Sequence, residues 1–218
     1  GPTVILVHGA NGNIRDWTFS IFAKLAETHH VIAFDRPGLG YSVRPEADGD
    51  NPEVQARILS EAAAQLGVKD AVIVGHSWGG AVAMAWALNH AEQIKGVAVL
   101  AGATYPWGGE GVFVYKLGAS ESLSGVVNGF ARSYITEDRR KQYLADVFHP
   151  NRAPLGYLDY IGVDLALRPD TFKWNAQDIA RLDAHLARMA PRYREITLPM
   201  EILHGEEDQA GFNRIHSV

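Results

Sequence analysis

The chain contains no cysteine. That excludes disulfides, a thiolate nucleophile and Cys-ligated zinc, and leaves hydroxyl, imidazole and carboxylate groups to carry any chemistry. It also suits a cytoplasmic location, which is the expectation here. Long apolar runs are missing too. The stretch from Ala81 to Leu88 falls well short of the roughly 20 residues a membrane helix needs, so no span is expected. Positive charge is in the minority, with 20 Lys and Arg against 25 Asp and Glu and a net charge of -5. No electrostatic footprint for nucleic acid or an anionic membrane is visible, and a small-molecule substrate is the expected partner. The adjacent His29 and His30 have no companion carboxylate motif, so neither a metal nor another cofactor is expected. Internal repeats and low-complexity tracts are also absent.

What is present is an ordinary globular composition, 47% hydrophobic and 21% charged over 218 residues, enough for one main core. Val4–Val7 and Val31–Phe34 are short β-branched runs ending in His8-Gly9 and Asp35, and both read as buried strands. Between them Trp17, Ile21, Phe22 and Leu25 recur at helical spacing. Val54, Ile58, Ala62 and Leu66 repeat that pattern, with Gly67 as the stop, before a strand over Ala71–Val74. A helix over Ala81–Asn89 and a strand over Gly96–Leu100 follow. This alternation predicts a mostly parallel sheet covered on both faces, a three-layer α/β/α sandwich.

From Tyr105 to Trp174 the rhythm breaks, and this third of the chain holds 12 of its 21 aromatic residues. An inserted helical cap with an apolar inner surface is expected there. Ile179, Leu182, Leu186 and Met189 then restore a helix, and Leu198–Leu203 a strand. The expected division is 1–104 as the first part of the core, 105–174 as the cap and 175–218 as the second part of the core.

The sharpest motif is Gly75-His76-Ser77-Trp78-Gly79-Gly80, a G-x-S-x-G between an expected strand and an expected helix. A serine on that turn is held at strained backbone angles that expose its hydroxyl, and the flanking glycines let strand and helix approach. It also sits at a helix N-terminus, where the Trp78 N–H can face a developing oxyanion. Ser77 is therefore the candidate nucleophile. The competing reading, a glycine-rich turn with a bystander serine, lacks a reason for both flanking elements.

With these residues the chain resembles the α/β-hydrolase superfamily. His8-Gly9-Ala10-Asn11-Gly12 is similar to its HGxxG oxyanion loop, and Asp35-Arg36-Pro37-Gly38-Leu39-Gly40-Tyr41-Ser42 to its DxPGxGxS loop. The resemblance covers nearly the whole chain. It implies an α/β-hydrolase fold and an oxyanion hole from the backbone N–H groups of Ala10 and Trp78, with no cofactor. His8, Asp35 and Ser42 are then loop-supporting residues, and His76 points away from the nucleophile. The triad order Ser, acid, His places the acid in Gly205-Glu206-Glu207-Asp208, at Asp208; the alternative position after the preceding strand, 101–104, carries no carboxylate. A loop charge is the plain alternative for Asp208.

Ten residues follow Asp208, and His216 is the one imidazole among them. A helix and a strand are expected before the catalytic His, so His216 reads as a surface histidine and the base is expected beyond Val218. His204, at a strand end, reads as a packing residue. The chain starts at Gly1 and is in a strand by Val4, so both ends read as cut and any targeting signal as lying upstream.

The expected activity is ester hydrolysis through an acyl-enzyme. Amidase, lactonase, C–C bond hydrolase and cofactor-free haloperoxidase chemistries stay open on the same site. So does a non-catalytic small-molecule-binding protein of this fold. The resemblance associates the haloalkane dehalogenase and epoxide hydrolase branches with Asp at the place of Ser77. A dinucleotide-binding domain is excluded, since no G-x-G-x-x-G follows the first strand.

Overall fold

A computed structural model describes residues 1–45 and 48–208 of the chain. Five strands are described: β1 (Thr3–Val7), β2 (His30–Phe34), β3 (Ala71–His76), β4 (Ile94–Leu100) and β5 (Met200–Leu203). They form one parallel sheet in the order β2-β1-β3-β4-β5.

Side-chain alternation along β1 supplies both faces of the sheet. Ile5 and Val7 join Ile73, Val97 and Val99 in one core, covered by α3 (Pro52–Gln65), α4 (Trp78–Asn89) and α10 (Pro169–Met189). Val4 and Leu6 face the other way, against Trp17 of α1 (Arg15–Thr18) and Phe22 and Leu25 of α2 (Ile21–Ala26). Two covered faces make the three-layer sandwich. α4 is buried from Trp78 through Ala87 because it is apolar on every side, as a helix packed under other elements must be.

Between β4 and α10 the chain forms α5 (Phe113–Gly118), α6 (Ser124–Tyr134), α7 (Glu137–Phe148), α8 (Tyr157–Ile161) and α9 (Val163–Ala166), with no strand among them. α10 begins at Pro169, inside the stretch assigned above to the insertion. Its Pro at the first turn is a helix-start signal that the neighbouring Phe172 and Trp174 had masked. Likewise the single helix expected from Trp17 to Leu25 is two short ones, broken at Ser20 with φ -149° and ψ -51°.

The register brings three strand ends together. Val7 lies beside Gly75, and His76 beside Leu100. β1 and β3 are neighbours whose connections leave in opposite directions. The gap beyond their carboxyl ends is the topological switch point, where open α/β sheets bind ligands.

Candidate active site

Ser77 stands at that gap with φ 52° and ψ -119°, a conformation L-residues rarely adopt, with a cost of about 1–3 kcal/mol. The turn is held from both sides. The Ser77 N–H donates to Leu100 O (3.0 Å), and its carbonyl accepts from the N–H groups of Gly80 (2.8 Å) and Ala103 (3.0 Å). The glycine requirement is steric. A Cβ on Gly79 would stand 2.3 Å from Val7 O and 2.7 Å from His8 O, and one on Gly75 would stand 2.3 Å from Gly79 O. α4 starts at Trp78, so its N–H belongs to the first turn and has no intrahelical acceptor.

The loop after β1 is fixed by a buried network. His8 is fully buried; its Nδ1 lies 2.9 Å from Gly9 O, and its Nε2 accepts from the Arg36 N–H (3.0 Å). An Nε2 that accepts leaves the proton on Nδ1, which donates to Gly9 O. Burial, helped by the nearby guanidinium of Arg36, lowers the His8 pKa to about 3, so the ring is neutral.

Arg36, also fully buried, donates to His8 O (3.0 Å), Gly9 O (3.1 Å), Gln55 Oε1 (3.1 Å) and Asp178 Oδ2 (2.8 Å). Its guanidinium carbon lies 4.1 Å from the centre of the Trp78 ring, whose Nε1 donates to Asp178 O at 3.1 Å. Arg44 donates to the other oxygen of Asp178 at 2.6 Å. A trans peptide points its C=O and N–H in opposite directions. Gripping Gly9 O therefore sets the direction of the Ala10 N–H. Asn175 grips the next residue, accepting from the Asn11 N–H (2.7 Å) and donating to Asn11 Oδ1 (2.6 Å). Asn175 and Asp178 lie three apart on α10 and so share a face with Leu182.

Asp35 and Ser42 serve their own loop. Asp35 accepts from the N–H groups of Ile14 (2.8 Å) and Tyr41 (2.9 Å), and Ser42 donates to Asp35 O (2.9 Å).

The groups singled out in the sequence meet in one cavity of about 570 Å³, lined by Ser77, Ala10, Trp78 and Asp208 together. His76 also lines it, with its ring edge-on to Trp17 at 6.4 Å. His204 Nε2 lies 3.8 Å from Asp208 Oδ2, an electrostatic rather than a hydrogen-bonding distance. His216 lies outside the described residues. A larger cavity of about 1010 Å³ lies among α7, α8 and α9 and borders none of these groups.

Sequence reasoning missed the Arg36–Asp178 pair and Asn175. A charged residue immediately after a strand, and polar residues on the apolar stripe of α10, were the signals available.

A parallel sheet with a strained serine at its switch point, facing a loop built on His-Gly, defines an α/β-hydrolase. A family description reading "alpha/beta hydrolase fold" matches residues 2–210, and the chain belongs to that family. Among curated relatives it is similar to haloalkane dehalogenase 2 of Mycobacterium tuberculosis, 32% identical over 110 residues, which are 49% of this chain and 36% of the relative. It is also similar to 2-hydroxymuconate semialdehyde hydrolase of Pseudomonas sp. (strain CF600), 30% identical over 110 residues, 49% of this chain and 39% of the relative. The aligned stretches thus span well under half of those relatives.

Among solved structures, the enol-lactonase from Burkholderia xenovorans LB400 superposes with a TM-score of 0.70 at 21% identity, covering 99% of this chain and 77% of that one. An alpha/beta hydrolase fold protein from Burkholderia ambifaria superposes with 0.76 at 20% identity, covering 96% and 74%. At these identities the likeness is one of fold.

Proposed function

We propose that the protein is a serine hydrolase that cleaves ester bonds of small, largely apolar substrates. The observation that carries this reading is the shared cavity: Ser77 on a strained turn, with Ala10, Trp78 and Asp208 in the same walls. In the mechanism, Ser77 Oγ attacks the ester carbonyl carbon while an imidazole takes its proton. The carbonyl oxygen becomes an oxyanion held by the N–H groups of Ala10 and Trp78. Collapse expels the alcohol, which takes the proton from the imidazole. Water then attacks the acyl-enzyme by the same route and releases the acid. Asp208 orients the imidazole.

The apolar part of the proposal rests on Trp107, Leu144, Val147, Ile161, Ile179 and Leu182 in the lining. Four of these, Trp107, Leu144, Val147 and Ile161, come from residues 105–174, which supports that stretch acting as a cap over the nucleophile. Dehalogenase and epoxide hydrolase chemistry is not proposed, because the resemblance associates those branches with Asp where this chain has Ser77.

The test is a chain-length series of p-nitrophenyl esters on the full-length protein. kcat/KM should rise at least about tenfold from acetate to hexanoate, as buried methylenes contribute binding. A flat profile contradicts the apolar pocket, and absence of turnover contradicts the hydrolase reading.

A further inference from the structure

The walls around Ser77 carry charge of one sign. Among the described lining residues are the carboxylates of Asp16 and Asp208 and no Lys or Arg. Asp208 belongs to the proposed catalytic machinery; Asp16 does not. Asp16 follows the oxyanion loop, on α1, and its Oδ2 accepts from the Asn13 N–H (3.3 Å) while Asn13 Oδ1 accepts from the Arg15 N–H (3.0 Å). These two bonds close the turn that leads into α1, and they use one carboxylate oxygen of Asp16. The other oxygen accepts from the Tyr157 hydroxyl of α8 at 3.2 Å.

Tyr143 of α7 and Tyr115 of α5 line the same cavity, and the Tyr143 hydroxyl is within electrostatic reach of both Tyr115 and Asp16. Tyr143 is 63% exposed and so stands on the open side. A carboxylate has about four acceptor positions, and hydrogen bonds from the described residues fill two. The site is therefore an anionic acceptor with spare capacity, walled by tyrosine rings whose faces attract cations.

We propose that the cavity selects substrates whose apolar body ends in a protonated amine, with Asp16 as the anionic partner and Tyr157, Tyr143 and Tyr115 as the surrounding wall. This rests on the hydrolase reading above. The same walls disfavour substrates ending in a carboxylate, since no Lys or Arg among the described lining residues meets one. Among the described residues no cation pairs with Asp16. Burial raises its pKa to about 6, against the lowering effect of its bonds from Tyr157 and Asn13, and Asp35 behind it adds repulsion. Among the described residues, the other titratable groups facing this space are Tyr157, Tyr143, Tyr115, His76 and Asp208, none of them a fixed cation. An incoming ammonium supplies the missing charge and holds Asp16 ionised. Preference for an amine is thus weak below pH 6, where Asp16 is protonated, and grows as pH rises through 6.

The experiment compares four p-nitrophenyl esters of equal length: hexanoate, 6-hydroxyhexanoate, 6-aminohexanoate and the adipate monoester. The expected order of kcat/KM is amine, hydroxyl, methyl, carboxylate. The amine should exceed the methyl ester at least tenfold and the carboxylate at least a hundredfold, and the hydroxyl arm separates ionic attraction from hydrogen bonding alone. The amine-to-hydroxyl ratio should increase between pH 5 and pH 7 and fall toward one in Asp16→Asn, which keeps an acceptor for the Asn13 N–H. Tyr157→Phe should lower the same ratio severalfold while leaving the Asn13 N–H bond to Asp16 untouched.

Equal rates for amine and methyl esters, preference for the carboxylate, or a ratio unmoved in a folded Asp16→Asn each overturn the proposal. Calorimetric binding of 6-aminohexanamide to Ser77→Ala separates the two claims. Binding there, weakened at least tenfold by Asp16→Asn, supports the amine site even if no ester is turned over, a result that removes the hydrolase reading alone. Absence of binding overturns the amine site.

Discussion

Replacing Arg36 by Met tests whether the buried guanidinium holds the oxyanion loop. In the native chain Arg36 serves four acceptors: the carbonyls of His8 and Gly9, Gln55 Oε1 and Asp178 Oδ2. The pair with Asp178 is completely out of solvent, with both side chains 0% exposed. Removing one member of a buried pair costs about 3–5 kcal/mol, because the group left behind keeps its desolvation penalty. Arg44 remains on Asp178 Oδ1, which places the expectation toward the lower end of that range. For a chain of this size each kcal/mol moves Tm by about 2–4 °C, so a drop on the order of 10 °C is expected by calorimetry or circular dichroism.

Lys173→Met, which breaks the exposed contact with Glu121, should leave Tm unmoved. At temperatures where the Arg36→Met protein is folded, kcat should fall about 10- to 100-fold with little change in KM, since the Ala10 N–H has lost its alignment and a full oxyanion donor contributes about 10²–10³. A folded variant with wild-type Tm, or with wild-type kcat, refutes the reasoning.

Gly79→Ala should lower stability by about 1–3 kcal/mol and reduce kcat, because its methyl group meets the backbone of Val7 and His8, which form the edge of the oxyanion loop. Gly125→Ala and Gly129→Ala, on α6 with open space around the added carbon, should each raise stability by about 0.5–1 kcal/mol, which urea unfolding can read. His8 gives a pH signature: its folded pKa near 3 lies below the free value of 6.5, so the unfolded chain binds the extra proton between them. Its contribution is complete above pH 6.5 and is lost as pH falls toward 3. Stability measured across that window should decline more steeply in the wild type than in His8→Gln, and equal slopes contradict the burial argument.

The parallel sheet and the Ser77 turn were legible in the sequence because both are local. Alternating strand and helix patterns set the layers, and Gly75 and Gly79 are demanded by contacts within a few residues or with the neighbouring strand end. Ala10, Trp78 and Asp208 were reachable through motifs that place them at fixed offsets from strand ends. Arg36 and Asp178 lie 142 positions apart, and no local pattern pairs them; only the fold sets α10 across the oxyanion loop. The start of α10 was hidden because Phe172 and Trp174 share the aromatic character of the preceding stretch, although Pro169 carried the correct signal. No local pattern singled out Asp16. Its role depends on Tyr157 arriving from α8, a contact between residues 141 positions apart.

The central claim is that Ser77 is the activated nucleophile. Treating the protein with a fluorophosphonate and mapping the adduct by peptide mass spectrometry tests it most directly. The account predicts a single phosphonylated residue, Ser77, and complete loss of labelling in Ser77→Ala at unchanged Tm. Labelling that survives that substitution, or an adduct on Ser42 or another hydroxyl, contradicts it.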